Sequence, residues 1–329
     1  MAVLFATALG QTVAGGQVAE GPGSASPQVT SGQAEAARPV TPAVPTPSYV
    51  PQRVYDTRRN AFVDFEVMLA DLAGADVVFV GEQHDDPNTH RLELALLEGM
   101  HRRGVPMVVS LEMFERDVQA ALDRYLAGAL AEKEFLTEAR PWPRYATDYR
   151  AIIELAKAHG WPVVAANVPR RFASEVAKSG KDALARLEPD DRAMAAKDLL
   201  CPPDAYFERF AKAMGDHAAG GTNEPDSDKA RPDSDRTDRY YWSQCVKDET
   251  MAESIAAAVE VRTDSRSVIV HVNGAFHSDF GLGTAERVRR RLPGRRVAVV
   301  TILPVANLDT LSPGGEDLTR AEYLVFTVK

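Results

Sequence analysis

Six short apolar runs punctuate the chain: Asp76–Val80 (DVVFV), Pro106–Leu111 (PMVVSL), Pro162–Ala166 (PVVAA), Ser267–Val272 (SVIVHV), Val297–Ile302 (VAVVTI) and Tyr323–Val328 (YLVFTV). They are rich in β-branched residues and mostly lack period-two alternation, the pattern of strands buried on both faces of a parallel sheet. Between them, apolar positions recur at helical spacing. In Asn88–Arg103, Leu92, Ala95, Leu96 and Met100 fall on one face. Asp86 followed by Pro87 offers an N-cap and a proline at the first helical position. Further helices are predicted over Arg116–Ala131, Asp148–His159 and Arg239–Val261. Strand alternating with helix predicts an α/β fold, a layered, mostly parallel sheet flanked by helices with right-handed crossovers.

The residues that follow these runs carry the chemistry. Gly81-Glu82-Gln83-His84 follows the first, Glu112 the second, Asn167 the third, and Asn273-Gly274-Ala275-Phe276-His277 the fourth. Carboxyl ends of parallel strands share one edge, and ligands bind there. Glu82, His84, Glu112, Asn167 and His277 are therefore expected to converge. His90, in the first turn of the next helix, is placed to face the same cleft, whereas His271 reads as a core histidine.

Composition narrows the class. The 329 residues are 45% hydrophobic and 26% charged, close to the globular average. Lys and Arg total 38 against 47 Asp and Glu, a net charge of -9, which disfavours nucleic acid as a partner. Met1–Leu9 is apolar but too short to span a bilayer. With the small residues that follow, 1–16 reads as the remnant of an export signal without its basic start. Residues 17–51, rich in Ala, Gly, Pro, Ser, Thr and Gln, read as a disordered linker. Residues 52–329 form the α/β domain, interrupted at 215–239 by a polar, flexible lid-like insertion containing GGTNEPDSDKARPDSDR. No Cys follows the apolar start, so no lipid-anchor site is expected in this numbering. Cys201 and Cys245 read as two buried thiols, with one bridge as the alternative in an exported protein. A tethered domain behind an export signal suits the periplasm or cell envelope.

Two imidazoles and two carboxylates make a reasonable divalent-metal set: Glu82, His84, Glu112 and His277. Without metal, the same four could activate water, a carboxylate orienting a His base. The Glu-x-His spacing is not the HExxH pairing of a zinc peptidase. GxSxG, P-loop and GxGxxG motifs are missing after the first strand. A separate cluster, Pro141-Trp142-Pro143-Arg144-Tyr145 with Asp148 and Tyr149, combines flat aromatics with a cation. It suits a planar anionic ligand, and a Tyr phenolate can ligate haem iron. Tyr240-Tyr241-Trp242 forms a second aromatic group beside the insertion.

Taken together these motifs resemble the ChaN-like haem-binding family, within the superfamily that includes erythromycin esterases and Tiki proteins. The residues that carry the likeness are VVFVGEQHDDPNTHRLELALLEGM (77–100), VVSLEMFERDVQAALDRYLAG (108–128), PWPRY (141–145), AANVPR (165–170), YYWSQCVKDETMAESI (240–255) and VNGAFHSDFGLGTAERV (272–288). The match covers about residues 53–303. The resemblance implies an α/β fold with its site at the strand ends, and a bacterial cell-envelope protein of haem or iron uptake. It also implies a homodimer with haem between the subunits, and an outer-membrane transport partner. A Tyr would take the iron, Tyr145 before Tyr241 and Tyr149, with Arg144, His90 and Asn167 as further cofactor contacts. Gly81 to His84 and Gly274 to His277 resemble the Gly-x-x-His segments of the superfamily's hydrolases. The expected function is haem binding. The alternative is a hydrolase, metal-dependent or using the His/Glu set, so enzymatic activity stays open.

Overall fold

The computed structural model describes residues 50–219 and 233–329. The export-signal remnant, nearly all of the linker and residues 220–232 of the insertion lie outside the described residues. In chain order the elements are β1 (Gln52–Asp56), β2 (Ala61–Val63), α1 (Phe65–Leu72), β3 (Val77–Glu82), α2 (Pro87–Arg102), β4 (Met107–Glu115), α3 (Gln119–Leu126), α4 (Glu132–Ala139), α5 (Tyr145–Asp148), α6 (Arg150–His159) and β5 (Val163–Asn167). There follow α7 (Arg170–Ser179), α8 (Pro189–Arg192), α9 (Ala205–Ala219), α10 (Asp233–Val261), β6 (Val268–Gly274), α11 (Gly283–Arg291), β7 (Val297–Val305), α12 (Asp317–Arg320) and β8 (Tyr323–Val328).

The eight strands form one sheet in the order β2-β1-β8-β7-β3-β6-β4-β5. The six strands β3 to β8 are those foreseen, and they run parallel. β1 and β2, which the apolar pattern does not mark, extend one edge in antiparallel fashion. Along β3, Val78 and Val80 enter the core under α2, while Val77 and Phe79 pack against Ile255 and Val259 of α10 and Val288 of α11. Both faces are dry, which is why the strands lack alternation. Asp86 caps α2 by accepting from the Thr89 backbone N–H at 2.7 Å, with Pro87 opening the helix.

Boundaries differ from expectation in ways that matter for the site. Glu82, Asn167, Asn273 and Gly274 are the closing residues of their strands rather than loop residues, and β4 runs on past Glu112 to Glu115. The helix expected over 116–131 becomes a 3-10 turn at Arg116–Val118 and the short α3, and Gly128 beyond it takes a left-handed φ of 72°. Residues 215–219 close α9, and α10 begins at Asp233, so both ends of the predicted insertion are helical. The two cysteines are not free thiols: α10 brings Cys245 beside Cys201, with 5.9 Å between their Cα atoms, and they form a disulfide.

Candidate functional site

β3 delivers Glu82 to the strand-end edge, where it is 2% exposed. Its Oε1 accepts from the Nδ1 of His84 and, at 2.8 Å, from the Tyr149 hydroxyl. Its other oxygen, Oε2, lies 3.5 Å from the Nδ1 of His90. His90 also meets Oε2 of Glu93, one turn further along α2, at 3.2 Å. Burial opposes a charge on Glu82, but the imidazoles of His84 and His90 outweigh it and hold the carboxyl well below the usual range. Burial and the Glu82 charge push Glu93 the other way, well above the usual carboxylate range. Burial also opposes charge on His90, and the two carboxylates override it, raising the imidazole to about 10.

A second ion chain starts on the neighbouring strands. The Gly274 N–H, at the end of β6, donates to Glu112 Oε2 at 2.7 Å. The other Glu112 oxygen faces His277 Nε2 at 3.3 Å, and His277 Nδ1 donates to Asp248 of α10 at 2.7 Å. The Thr284 hydroxyl holds the same Asp248 oxygen. Burial works against charge on His277, yet Glu112 and Asp248 raise it to about 10. Burial likewise opposes charge on Glu112, but the His277 charge lowers it to about 2. His277 is thus a cation clamped between two buried carboxylates, and both its nitrogens are committed.

The two chains meet at His84. A Cβ built on Gly274 would lie 2.6 Å from His84 Nε2 and 3.6 Å from Glu112 Oε2, so all three groups crowd one point. The His84 side chain is 47% exposed at the mouth of a cleft of about 350 Å³. Tyr206, Arg209, Phe276, Phe280 and Arg320 also line it. Burial opposes charge on His84, but its bond to Glu82 and the Glu112 charge win and raise its pKa. The Arg209 guanidinium lies 3.5 Å from the Phe280 ring centre, and Arg320 lies 5.1 Å from it. Phe280 is held in the left-handed region at φ 63°, a conformation that costs a bulky residue free energy and marks functional sites.

The strand-end convergence inferred from sequence is present for Glu82, His84, Glu112 and His277. The aromatic–cation cluster divides differently. Trp142 packs edge-on against His84 with ring centres 5.2 Å apart. Tyr145 instead enters the core between Phe114 and Phe135, its buried hydroxyl without a hydrogen-bond partner. Arg144 pairs with Asp148. Tyr241 packs on Phe207 and Phe210 and donates to the Pro202 carbonyl. Asn167 donates to the Glu112 carbonyl and accepts from the Val168 N–H, a strand-end brace. Of the cofactor contacts expected, His90 and Tyr149 join the Glu82 cluster. Burial raises the Tyr145 phenol above its ordinary value and lifts that of Tyr241 to about 12, so neither readily becomes a phenolate. Sequence reasoning passed over Glu93, Asp248, Tyr206, Arg209, Phe280 and Arg320. Glu93 alone had a local signal, three residues after His90 on one helix face.

A family model described as haem-binding uptake, Tiki superfamily, ChaN matches residues 68–288. No curated protein matches the chain. Among solved structures, the cofacial haem complex of ChaN from Campylobacter jejuni aligns with 16% identity and a TM-score of 0.62, over 84% of this chain and 97% of that one. A Bacillus cereus protein aligns with 11% identity and a TM-score of 0.44, over 79% of this chain and 90% of that one. A mutant of the erythromycin esterase EreC, in its open conformation, aligns with 14% identity and a TM-score of 0.40, over 84% of this chain and 83% of that one. With the family model spanning most of the described chain, this protein belongs to the ChaN family of haem-binding uptake proteins within the Tiki superfamily.

Proposed function

We propose that this protein binds haem in the strand-end cleft and serves haem or iron uptake at the cell envelope. One observation carries the reading: His84 stands half-exposed at the cleft with Nδ1 fixed by the buried Glu82, which leaves Nε2 as the nitrogen for a ligand. The lining suits haem on its own chemistry. Phe276 and Phe280 offer ring faces, and Arg209 and Arg320 offer guanidinium groups for carboxylates. Haem would supply an iron, and His84 is the residue that would hold it through Nε2. Glu82 then sets the tautomer and orientation of His84, the role a carboxylate plays behind a metal-bound imidazole. A homodimer, as the resemblance implies, would cover the open side of the cleft. The Cys201–Cys245 disulfide supports an oxidising compartment outside the cytosol. Among the described residues, no helix is long and apolar enough to cross a membrane.

Titration of haemin into the purified full-length chain tests this. We expect a shifted Soret band that saturates at one haem per chain, is lost in His84→Ala and is unchanged in Tyr145→Phe. A spectrum equal to free haemin at micromolar protein, or full binding by His84→Ala, overturns it. The grip of Glu82 on His84 also supports the hydrolase reading, with Nε2 taking a proton from water. In that reading His277, already charged, serves as a cation rather than a base. Turnover of ester substrates that vanishes in His84→Ala without any haem spectrum would favour it.

A further inference from the structure

We propose that Glu82, His90 and Glu93 form a binding site for a divalent first-row cation beside the haem cleft, with Glu82 shared between the two. One donor atom from each residue lies within 4.8 Å of the other two, and all three residues are buried. Two carboxylate oxygens there, Glu82 Oε2 and Glu93 Oε1, are buried without a hydrogen-bond partner. The two oxygens of Glu82 are unequal. Oε1 has two donors, His84 and Tyr149, while Oε2 is turned to the centre of the cluster with none.

His90 is oriented in the same sense. Its Nε2 reaches the His84 carbonyl at 3.2 Å, an acceptor, so the ring proton belongs on that nitrogen. The second proton of the charged ring then sits on Nδ1 toward the two carboxylates, and a metal ion binds there by displacing it. Two carboxylates facing one imidazole hold a positive charge between them, a proton in the metal-free cluster and the cation once it binds. Nδ1 lies 3.5 Å from Glu82 Oε2 and 3.2 Å from Glu93 Oε2. Donors about 2.0–2.2 Å from a tetrahedral ion are themselves about 3.3–3.6 Å apart, close to these two separations from His90. One imidazole with two carboxylates is the donor set of zinc, manganese or ferrous iron rather than of a thiolate-seeking metal. The ligands are braced from behind by Tyr149, His84 and the His84 carbonyl, as metal ligands are. A cleft of about 490 Å³, lined by His90, Arg144, Thr147 and Asp148, borders the cluster at His90. The competing explanation is a proton held between Glu82 and Glu93 in place of a metal.

The two are separated by stripping the full-length protein with a chelator and titrating it with Zn2+ alone, by calorimetry and by metal analysis after dialysis. We expect one Zn2+ per chain and a rise in melting temperature with Zn2+. Glu93→Gln and His90→Asn should weaken binding by at least about 10-fold. His277→Gln, which touches none of the three ligands, should retain it. Co2+ titration of the wild-type chain gives visible bands of nitrogen–oxygen ligation without a variant, so misfolding of one mutant leaves the test standing. Absence of Zn2+ binding, with an infrared band of a buried protonated carboxyl that disappears in Glu93→Gln, overturns the proposal in favour of the shared proton. Binding that survives Glu93→Gln but is lost in His277→Gln overturns it by moving the ion to the other chain. Haemin titration of the zinc-free protein is independent of each outcome.

Discussion

The Nε2 of His84 rests against Gly274, so closely that a methyl group at 274 would sit 2.6 Å from it. The backbone there is at φ −54° and ψ 131°, which alanine adopts freely. Gly274→Ala should therefore leave the sheet intact and push the His84 ring aside. We expect a melting temperature within a few degrees of wild type and haemin affinity at least 10-fold weaker in a Soret titration. Unchanged affinity would remove His84 as the ligand.

The clamp on His277 has a pH signature. Its folded pKa of about 10 lies above the ordinary 6.5, so its contribution is full below 6.5 and is lost as pH rises through 10. Glu112, at about 2 against 4.5, contributes above 4.5 and loses this as pH falls through 2. The pair is at full strength between these windows. Thermal melts should show stability declining from pH 7 to 10, with a flatter profile in His277→Gln. That variant leaves Asp248 and Glu112 buried without their cation and should cost about 3 kcal/mol near neutral pH. Parallel alkaline slopes in the two proteins would count against a charged His277.

Phe280 tests whether strain serves binding. Phe280→Gly relieves the left-handed backbone, worth about 1 kcal/mol or more, while removing the ring that Arg209 and Arg320 cover. Stability should change little and haemin affinity should fall. A large stability loss with unaltered affinity would make the ring a packing element alone.

The disulfide joins residues 44 positions apart. Closing a loop of that length restricts the unfolded chain by about 4 kcal/mol in the chain-entropy picture. Cys245→Ser, or reduction, should lower the melting temperature by several degrees. Melts with and without reductant measure this, and equal values would show that the bridge does not form in solution.

Most of the sheet and the meeting of Glu82, His84, Glu112 and His277 could be read from the chain alone. The apolar runs are continuous because both sheet faces are covered, and parallel strands place their last residues on one edge whatever the loops do. The strand pair at 52–63 escaped notice because it is short and one of its strands is largely exposed. The sequence also left open which tyrosine of 145 and 149 faces the site. One helical turn separates a phenol lost in the core from one bonded to Glu82.

What the sequence determined by itself were the properties set locally: strand and helix type, the Asp86 cap, and the residue classes arriving at the strand ends. What only the tertiary structure decided were the partners. Asp248 reaches His277, Cys245 reaches Cys201, and Arg209 covers Phe280 because α9 and α10 dock where side-chain packing allows. Those contacts join residues 29 to 71 positions apart, beyond the reach of any local periodicity. Whether an imidazole is a free ligand or a clamped cation depends on what is buried against it, since burial and neighbouring charge, not residue type, set its protonation.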